Sequence, residues 1–100
     1  MISVIVPCYN EEAALPYFLA EIQAEADRLT AAYGQPFEFL FINDGSCDKT
    51  LDLLRKYAGE DDRVRYVSFS RNFGKESALY AGFEHCRGDY AVVMDADLQH

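Results

Sequence analysis

Four short stretches of the chain are apolar at nearly every position: ISVIVP near the N-terminus, FEFLFIND from residue 37, VRYVSFS from residue 64 and DYAVVMD from residue 89. Such runs, rich in β-branched and aromatic residues and bounded by polar segments, predict strands covered on both faces, as in a parallel sheet. The segments between them change period. Leu15, Phe18, Leu19, Ile22, Ala26 and Leu29 recur at i, i+3, i+4 and i+7, the apolar stripe of one helix. Pro16 has no amide hydrogen and belongs in the first turn. That helix is expected to begin near Glu12, with PCYN as the preceding turn and Asn10 as a cap. A second helix is predicted over about Lys49–Ala58, with Asp48 as N-cap, Leu51 and Leu54 inward and Gly59 as its stop. A third is predicted over Lys75–Cys86, with Ala78, Leu79, Gly82 and Phe83 inward and Gly88 ending it.

The order is therefore β-α-β-α-β-α-β. Right-handed crossovers place such strands in one mainly parallel sheet with helices on both faces, an α/β class. No repeat, linker or low-complexity tract divides the chain, so residues 1–100 are read as one unit. In open sheets of this kind ligands bind beyond the carboxyl ends of the strands. The four segments that follow the strands are PCYNEE, NDGS, SRNFGKES and DADLQH. All are polar, and their convergence on one crevice is the main functional expectation.

Each segment has a chemical reading and a bland one. Asp95 and Asp97, with Gln99, offer oxygen ligands to a hard divalent cation such as Mg²⁺ or Mn²⁺, which commonly shares them with substrate phosphates; the bland reading is solvated loop acids. NDGS is a turn on its own, yet Asp44 just beyond the strand is an acceptor for a base or ribose. Tyr9 offers a flat ring for stacking, and Glu11 an acceptor for ribose hydroxyls; Glu11 and Glu12 equally favour a helix start. Arg71 and Lys75 flank a glycine at a helix start, a place suited to phosphate oxygens, unless both simply pair with surface acids.

Composition narrows the partners. Acids outnumber bases 17 to 9, for a formal charge of -8, which argues against nucleic acid, since phosphate backbones want a basic face. It leaves room for a small phosphorylated ligand held by backbone amides and one metal ion. Cys8, Cys47 and Cys86 show no CxxC spacing, so neither a disulfide framework nor a zinc site is expected. There is no basic region followed by a long apolar stretch, and no apolar run near the ~20 residues that cross a bilayer, so this segment is expected in the cytoplasm. The Walker A pattern fails, with Phe69 in place of its first Gly, and GxGxxG is absent. Cys8 sits at a strand end without a placed His, so no catalytic residue is assigned.

Together, VIVPCYNEE, FINDGSCDKT, SRNFGKESAL and VVMDADLQH resemble the N-terminal half of glycosyltransferase family 2. The closest resemblance is to its polyprenyl-phosphate group, which includes dolichyl-phosphate mannosyltransferases and bactoprenol glucosyltransferases. PxYNE and NDGS mark the broad family; RNFGKE and DADLQ mark the lipid-phosphate group. The resemblance implies the GT-A fold, with a Rossmann-like nucleotide-binding layer. It implies that Pro7, Tyr9, Asn10 and Glu11 line the nucleotide, that Ile42 and Asp44 contact base or ribose, and that Asp95, Ala96 and Asp97 form the DxD motif holding Mg²⁺ or Mn²⁺ against the donor diphosphate. The implied reaction is inverting transfer of a sugar from a UDP- or GDP-linked donor to a polyprenyl phosphate. It also implies a longer parent at the cytoplasmic face of the membrane, with acceptor-site residues beyond His100, so that this segment alone is expected to be inactive and its unfinished sheet edge to invite self-association. The alternatives are a saccharide-acceptor transferase, a non-catalytic nucleotide- or metal-binding module and, more weakly, a nucleotidyltransferase.

Overall fold

The computed structural model describes residues 1–96. Four strands and three helices alternate: β1 (Ile2–Cys8), α1 (Leu15–Tyr33), β2 (Phe37–Asn43), α2 (Thr50–Glu60), β3 (Val64–Ser68), α3 (Lys75–His85) and β4 (Tyr90–Val93). The strands lie in the order β3-β2-β1-β4, and every pairing is parallel. Register is fixed through the centre, where Val4 stands opposite Phe39 on one side and Val92 on the other. From β1 the chain steps outward to β2 and β3, then returns through α3 to the far side of β1. The strand order thus reverses at β1, and the crevice between the carboxyl ends of β1 and β4 is where such a sheet binds ligands.

Alternation along the strands feeds two cores. Val4, Val6, Phe39 and Phe41 face α1 and α2, where they meet Leu15, Phe18, Leu54 and Tyr57. Phe18 and Phe41 meet edge to face with ring centroids 6.2 Å apart. Ile5, Leu40 and Ile42 point the other way, onto Ala78 and Ala81 of α3. That helix approaches by means of small residues: a Cβ on Gly82 would stand 2.4 Å from Ile5 Cγ2. A close sheet–helix contact takes the place of a wide apolar stripe, and Phe83, expected inward, is exposed.

Several helix boundaries also differ from expectation. α1 starts at Leu15 instead of Glu12, because residues 12–14 form turns. Asn10 does not cap it. Its φ is 53°, its amide donates to Ser46 Oγ, and its side-chain oxygen accepts from the Cys47 amide, so it joins the β1–α1 and β2–α2 loops. Asp48 lies one residue before the N-cap Lys49 of α2 and accepts from the amides of Thr50 and Glu12. Gly59 does not stop α2, which runs to Glu60, where the Asp61 amide still reaches the Tyr57 carbonyl. α3 ends at His85 with Cys86 as its cap, and Gly88 lies in the following turn against Met1 and Ser3. The expectation of strands covered on both faces fails for β4. All four of its residues are exposed: it lies at the sheet edge and is set apart from α1 by an apolar cleft of about 460 Å³, one side of which is walled by Val92 and by Met94 just beyond.

Two polar clusters tie the layers together. On the α3 face, buried Glu38 accepts from the Ser3 hydroxyl, from Arg65 Nη1 at 2.7 Å and from the Arg87 amide at 2.6 Å. On the opposite face, Asp61 accepts from Arg63 through Nη2 at 2.9 Å and Nε at 3.1 Å, and from Gln23 of α1 at 2.9 Å. Arg63 also reaches Asp27 of α1 and lies over the Phe39 ring. Among the described residues, no buried side-chain polar atom lacks a partner.

The Asp61 cluster sets a pH dependence. Hydrogen bonds from Arg63, opposed by burial and helped by Gln23, pull its carboxyl from 3.8 down to about 2. A depressed carboxylate contributes stability that is fully present above its unfolded value and is lost as pH falls through the folded one. The stabilisation, about 2 kcal/mol, is therefore expected to persist at pH 5 and to disappear between about pH 4 and 2. Urea denaturation of Asp61→Asn against the parent sequence checks this: the gap seen at pH 6 should close by pH 2.

Candidate nucleotide site at the strand ends

The carboxyl ends of the strands meet in a cavity of about 400 Å³. β1 and its loop contribute Pro7, Cys8, Tyr9 and Glu11; the end of β2 contributes Asp44; the β3–α3 loop and α3 contribute Asn72, Gly74, Lys75 and Ala78; the end of β4 contributes Asp95 and Ala96. The convergence expected from the four polar segments is thus realised, at the point where strand order reverses.

Asp44 organises much of this wall. Its amide donates to the Cys8 carbonyl at 2.8 Å, which locks the end of β2 to the end of β1. The residue is 4% exposed, and its carboxylate accepts from the Phe73 amide at 2.8 Å, the Gly74 amide at 3.0 Å and Asn72 Nδ2 at 3.1 Å. An acceptor-only group with two oxygens suits three converging donors. The consequence is a fixed β3–α3 loop, and so a fixed start for α3. Gly45 makes the close approach feasible: at φ +67° its α-carbon faces the Arg71–Asn72 backbone so tightly that a Cβ would lie 2.1 Å from the Arg71 carbonyl carbon.

Lys75, the first residue of α3, extends Nζ to within 3.0 Å of Asp95 Oδ1. Both side chains are well exposed. Lys75 is the only basic residue among the described residues lining the cavity, against the carboxylates of Glu11, Asp44 and Asp95. Tyr9 is 46% exposed and borders both this cavity and an adjoining hollow reached by Arg71. Arg71 lies over the Phe73 ring, its guanidinium carbon 4.7 Å from the centroid. The two expected phosphate-binding cations therefore line adjoining spaces, both of which Tyr9 borders.

Other expected site residues take different places. Ile42 is fully buried in the core beneath α3, so its side chain is unavailable to a ligand. Asn10 joins two loops and is absent from the cavity wall. Cys8 lines the cavity but is 1% exposed; burial, with Glu11 and Asp48 nearby, pushes its thiol far above the ordinary range, which removes it as a nucleophile. Glu11 stands in the wall, its amide bonded to Thr50 Oγ1. Asn72 belongs to the site although sequence reasoning passed over it; its place inside RNFG, between a cation and a glycine, was the available signal.

The metal reading rests on donor chemistry. Asp95 gives a carboxylate at the cavity, which suits a hard cation. Asp97 and Gln99, the other expected ligands, lie outside the described residues. Among the described residues there is no group of three His, Cys, Asp or Glu side chains arranged to hold an ion.

Comparison with known proteins bears on what the cavity serves. The chain is 47% identical over its whole length to CsbB of Bacillus subtilis (strain 168), a glycosyltransferase by name, of which it spans 29%. It is 41% identical over 99% of its length to an undecaprenyl-phosphate 4-deoxy-4-formamido-L-arabinose transferase of Shewanella sediminis, again spanning 29% of that protein. Among solved structures, the mannosyltransferase PcManGT of Pyrobaculum calidifontis, in complex with GDP-Man and Mn²⁺, superposes with a TM-score of 0.79 at 28% identity, over 96% of this chain and 27% of that one. S. aureus TarS 1-349 in complex with UDP-GlcNAc gives 0.78 at 26% identity, over 96% of this chain and 26% of that one. The architecture is that of the GT-A fold. The profile of Glycosyl transferase family 2 matches residues 3–100, and the chain belongs to that family.

Proposed function

We propose that the protein containing this chain transfers a sugar from a nucleotide-sugar donor to a polyprenyl phosphate at the cytoplasmic face of the membrane, and that the cavity at the strand ends holds the donor's nucleoside diphosphate. The observation that carries the reading is the meeting of all four strand-end segments in one 400 Å³ space, lined by the exposed Tyr9 ring, the Lys75 ammonium and the carboxylates of Glu11, Asp44 and Asp95. The undecaprenyl-phosphate transferase relative supports a lipid-phosphate acceptor, and the GDP-Man and UDP-GlcNAc complexes of the structural neighbours support a nucleotide-sugar donor. No helix among the described residues is long and apolar enough to cross a membrane, so the lipid would be met by other parts of the protein or at its surface.

In this reading Tyr9 stacks on the base and Glu11 accepts from ribose hydroxyls. Lys75 and Arg71 face diphosphate oxygens. Asp95, with Asp97 and Gln99, would hold Mg²⁺ or Mn²⁺, which when bound neutralises charge on the departing diphosphate. The acceptor's phosphate oxygen forms a new bond to the anomeric carbon from the face opposite the donor. The bond from that carbon to the diphosphate oxygen breaks, and its electron pair leaves with the nucleoside diphosphate. Because a phosphate acceptor is already anionic at neutral pH, positioning and charge neutralisation supply most of the catalysis.

Calorimetric titration with UDP-glucose and GDP-mannose, with and without Mn²⁺, tests the donor half of the proposal. One donor should bind in a Mn²⁺-dependent way, and an Asp95→Ala, Asp97→Ala double variant should weaken that binding at least about tenfold, in line with loss of charge-assisted contacts. Metal-independent binding unchanged in the double variant would refute the roles given to the acids. Transfer of labelled sugar to undecaprenyl phosphate by the full-length protein tests the acceptor half.

A further inference from the structure

Lys75 and Asp95 are fixed at their stems and meet at their tips. The Lys75 backbone is set by the loop that Asp44 grips through the Phe73 and Gly74 amides, one residue before α3 begins. The Asp95 backbone is set by β4, whose parallel pairing with β1 is continued by the Met94 amide donating to the Ile5 carbonyl at 3.0 Å. Across the cavity the ammonium then sits 3.0 Å from Asp95 Oδ1. An ammonium at that distance from one carboxylate oxygen neutralises much of the charge that would attract a divalent cation and repels a cation approaching the same group.

We infer that Lys75 is the counter-ion of Asp95 in the metal-free protein, and that it couples cation binding to nucleotide binding. This rests on the donor-site reading above. With the cavity empty, a divalent cation competes with the ammonium for Asp95 and is repelled by it. With a diphosphate present, Lys75 has a second anionic partner, so it keeps an ion pair when the cation takes Asp95. The cation and the nucleotide therefore favour each other, and by linkage the factor is the same in both directions. An exposed pair is worth little, so the effect of Lys75 on the cation alone is modest, about two- to fivefold.

The test uses the full-length protein, with Mn²⁺ followed by the electron paramagnetic resonance signal of the free ion, and UDP or GDP by calorimetry. Lys75→Gln is expected to bind Mn²⁺ alone about two- to fivefold more tightly than the parent protein, and to show a smaller enhancement of Mn²⁺ affinity by nucleotide. Lys75→Arg, which keeps the charge, should restore weak binding of the ion alone. Mn²⁺ affinity that is unchanged or reduced in Lys75→Gln, while the parent protein still binds Mn²⁺ and nucleotide together, would overturn the counter-ion role and leave the donor site standing. A parent protein that binds neither Mn²⁺ nor nucleotide would overturn both.

Discussion

Replacing Gly45 with alanine is expected to cost about 2–4 kcal/mol of stability and to lower donor affinity roughly tenfold or more. Two separate effects add. At φ +67° an L side chain is strained whatever the surroundings. The added Cβ would also fall 2.1 Å from the Arg71 carbonyl carbon and 2.3 Å from the Asn72 amide nitrogen. Those are backbone atoms, so no rotamer change relieves the overlap. The β2–α2 and β3–α3 loops must separate, and the three bonds to the Asp44 carboxylate lengthen together. Lys75 and Arg71 both hang from the displaced loop, which is why binding should fall with stability. Gly34→Ala is the control: its φ is +69°, but a Cβ there meets nothing within 4 Å. Thermal melts of the two variants should show the smaller, strain-only loss at Gly34, about 1 kcal/mol, and nucleotide titration should show a defect only at Gly45. Equal losses at the two positions would mean that the loop contact carries no weight.

The contrast between those glycines shows what the sequence made legible. The four strands, the helix order and the parallel class followed from runs and periods, because backbone pairing and burial impose those periods directly. The convergence at the strand ends followed from topology alone. Three things did not follow. Ala78 and Gly82 were read as inward, but how closely α3 approaches the sheet was not, because small residues signal a close approach only once Ile5 is known to lie opposite. The exposure of β4 was hidden because an uncovered strand and a covered one can share the same apolar run, and only the strand order and the open cleft beside α1 separate them. Asp44 was read as facing a ligand because its place after the strand was visible, while its partners, 28 to 30 residues further on, were not. Local pattern specifies elements; the pairing of one loop with another is a long-range fact.

Glu38→Ala is expected to lower stability by about 3 kcal/mol, the largest single loss among charged side chains remote from the cavity. Nothing in FEFLFI marks Glu38 as more than the polar member of a strand, yet its side chain is 5% exposed. Burial pushes its carboxyl up, but the Ser3 hydroxyl, the Arg87 amide and Arg65 together hold it below the ordinary range. Removing it leaves the Arg65 guanidinium, 27% exposed, without its carboxylate, and leaves the Arg87 amide without an acceptor. The Ser3 hydroxyl, which also accepts from the Gly88 amide, loses its own acceptor. The cost is therefore mainly that of orphaned donors, and it should shrink when the donor is removed as well. A denaturant series on Glu38→Ala, Arg65→Ala and the double variant measures this: the double variant should be less destabilised than the sum of the singles by at least about 1 kcal/mol. Strict additivity would show that the cluster is a set of independent contacts. Because Arg65 also donates to the His85 carbonyl at the end of α3, loosening the cluster frees the far end of the helix whose first residue is Lys75. Donor binding should then weaken only slightly, since the near end remains held by Asp44.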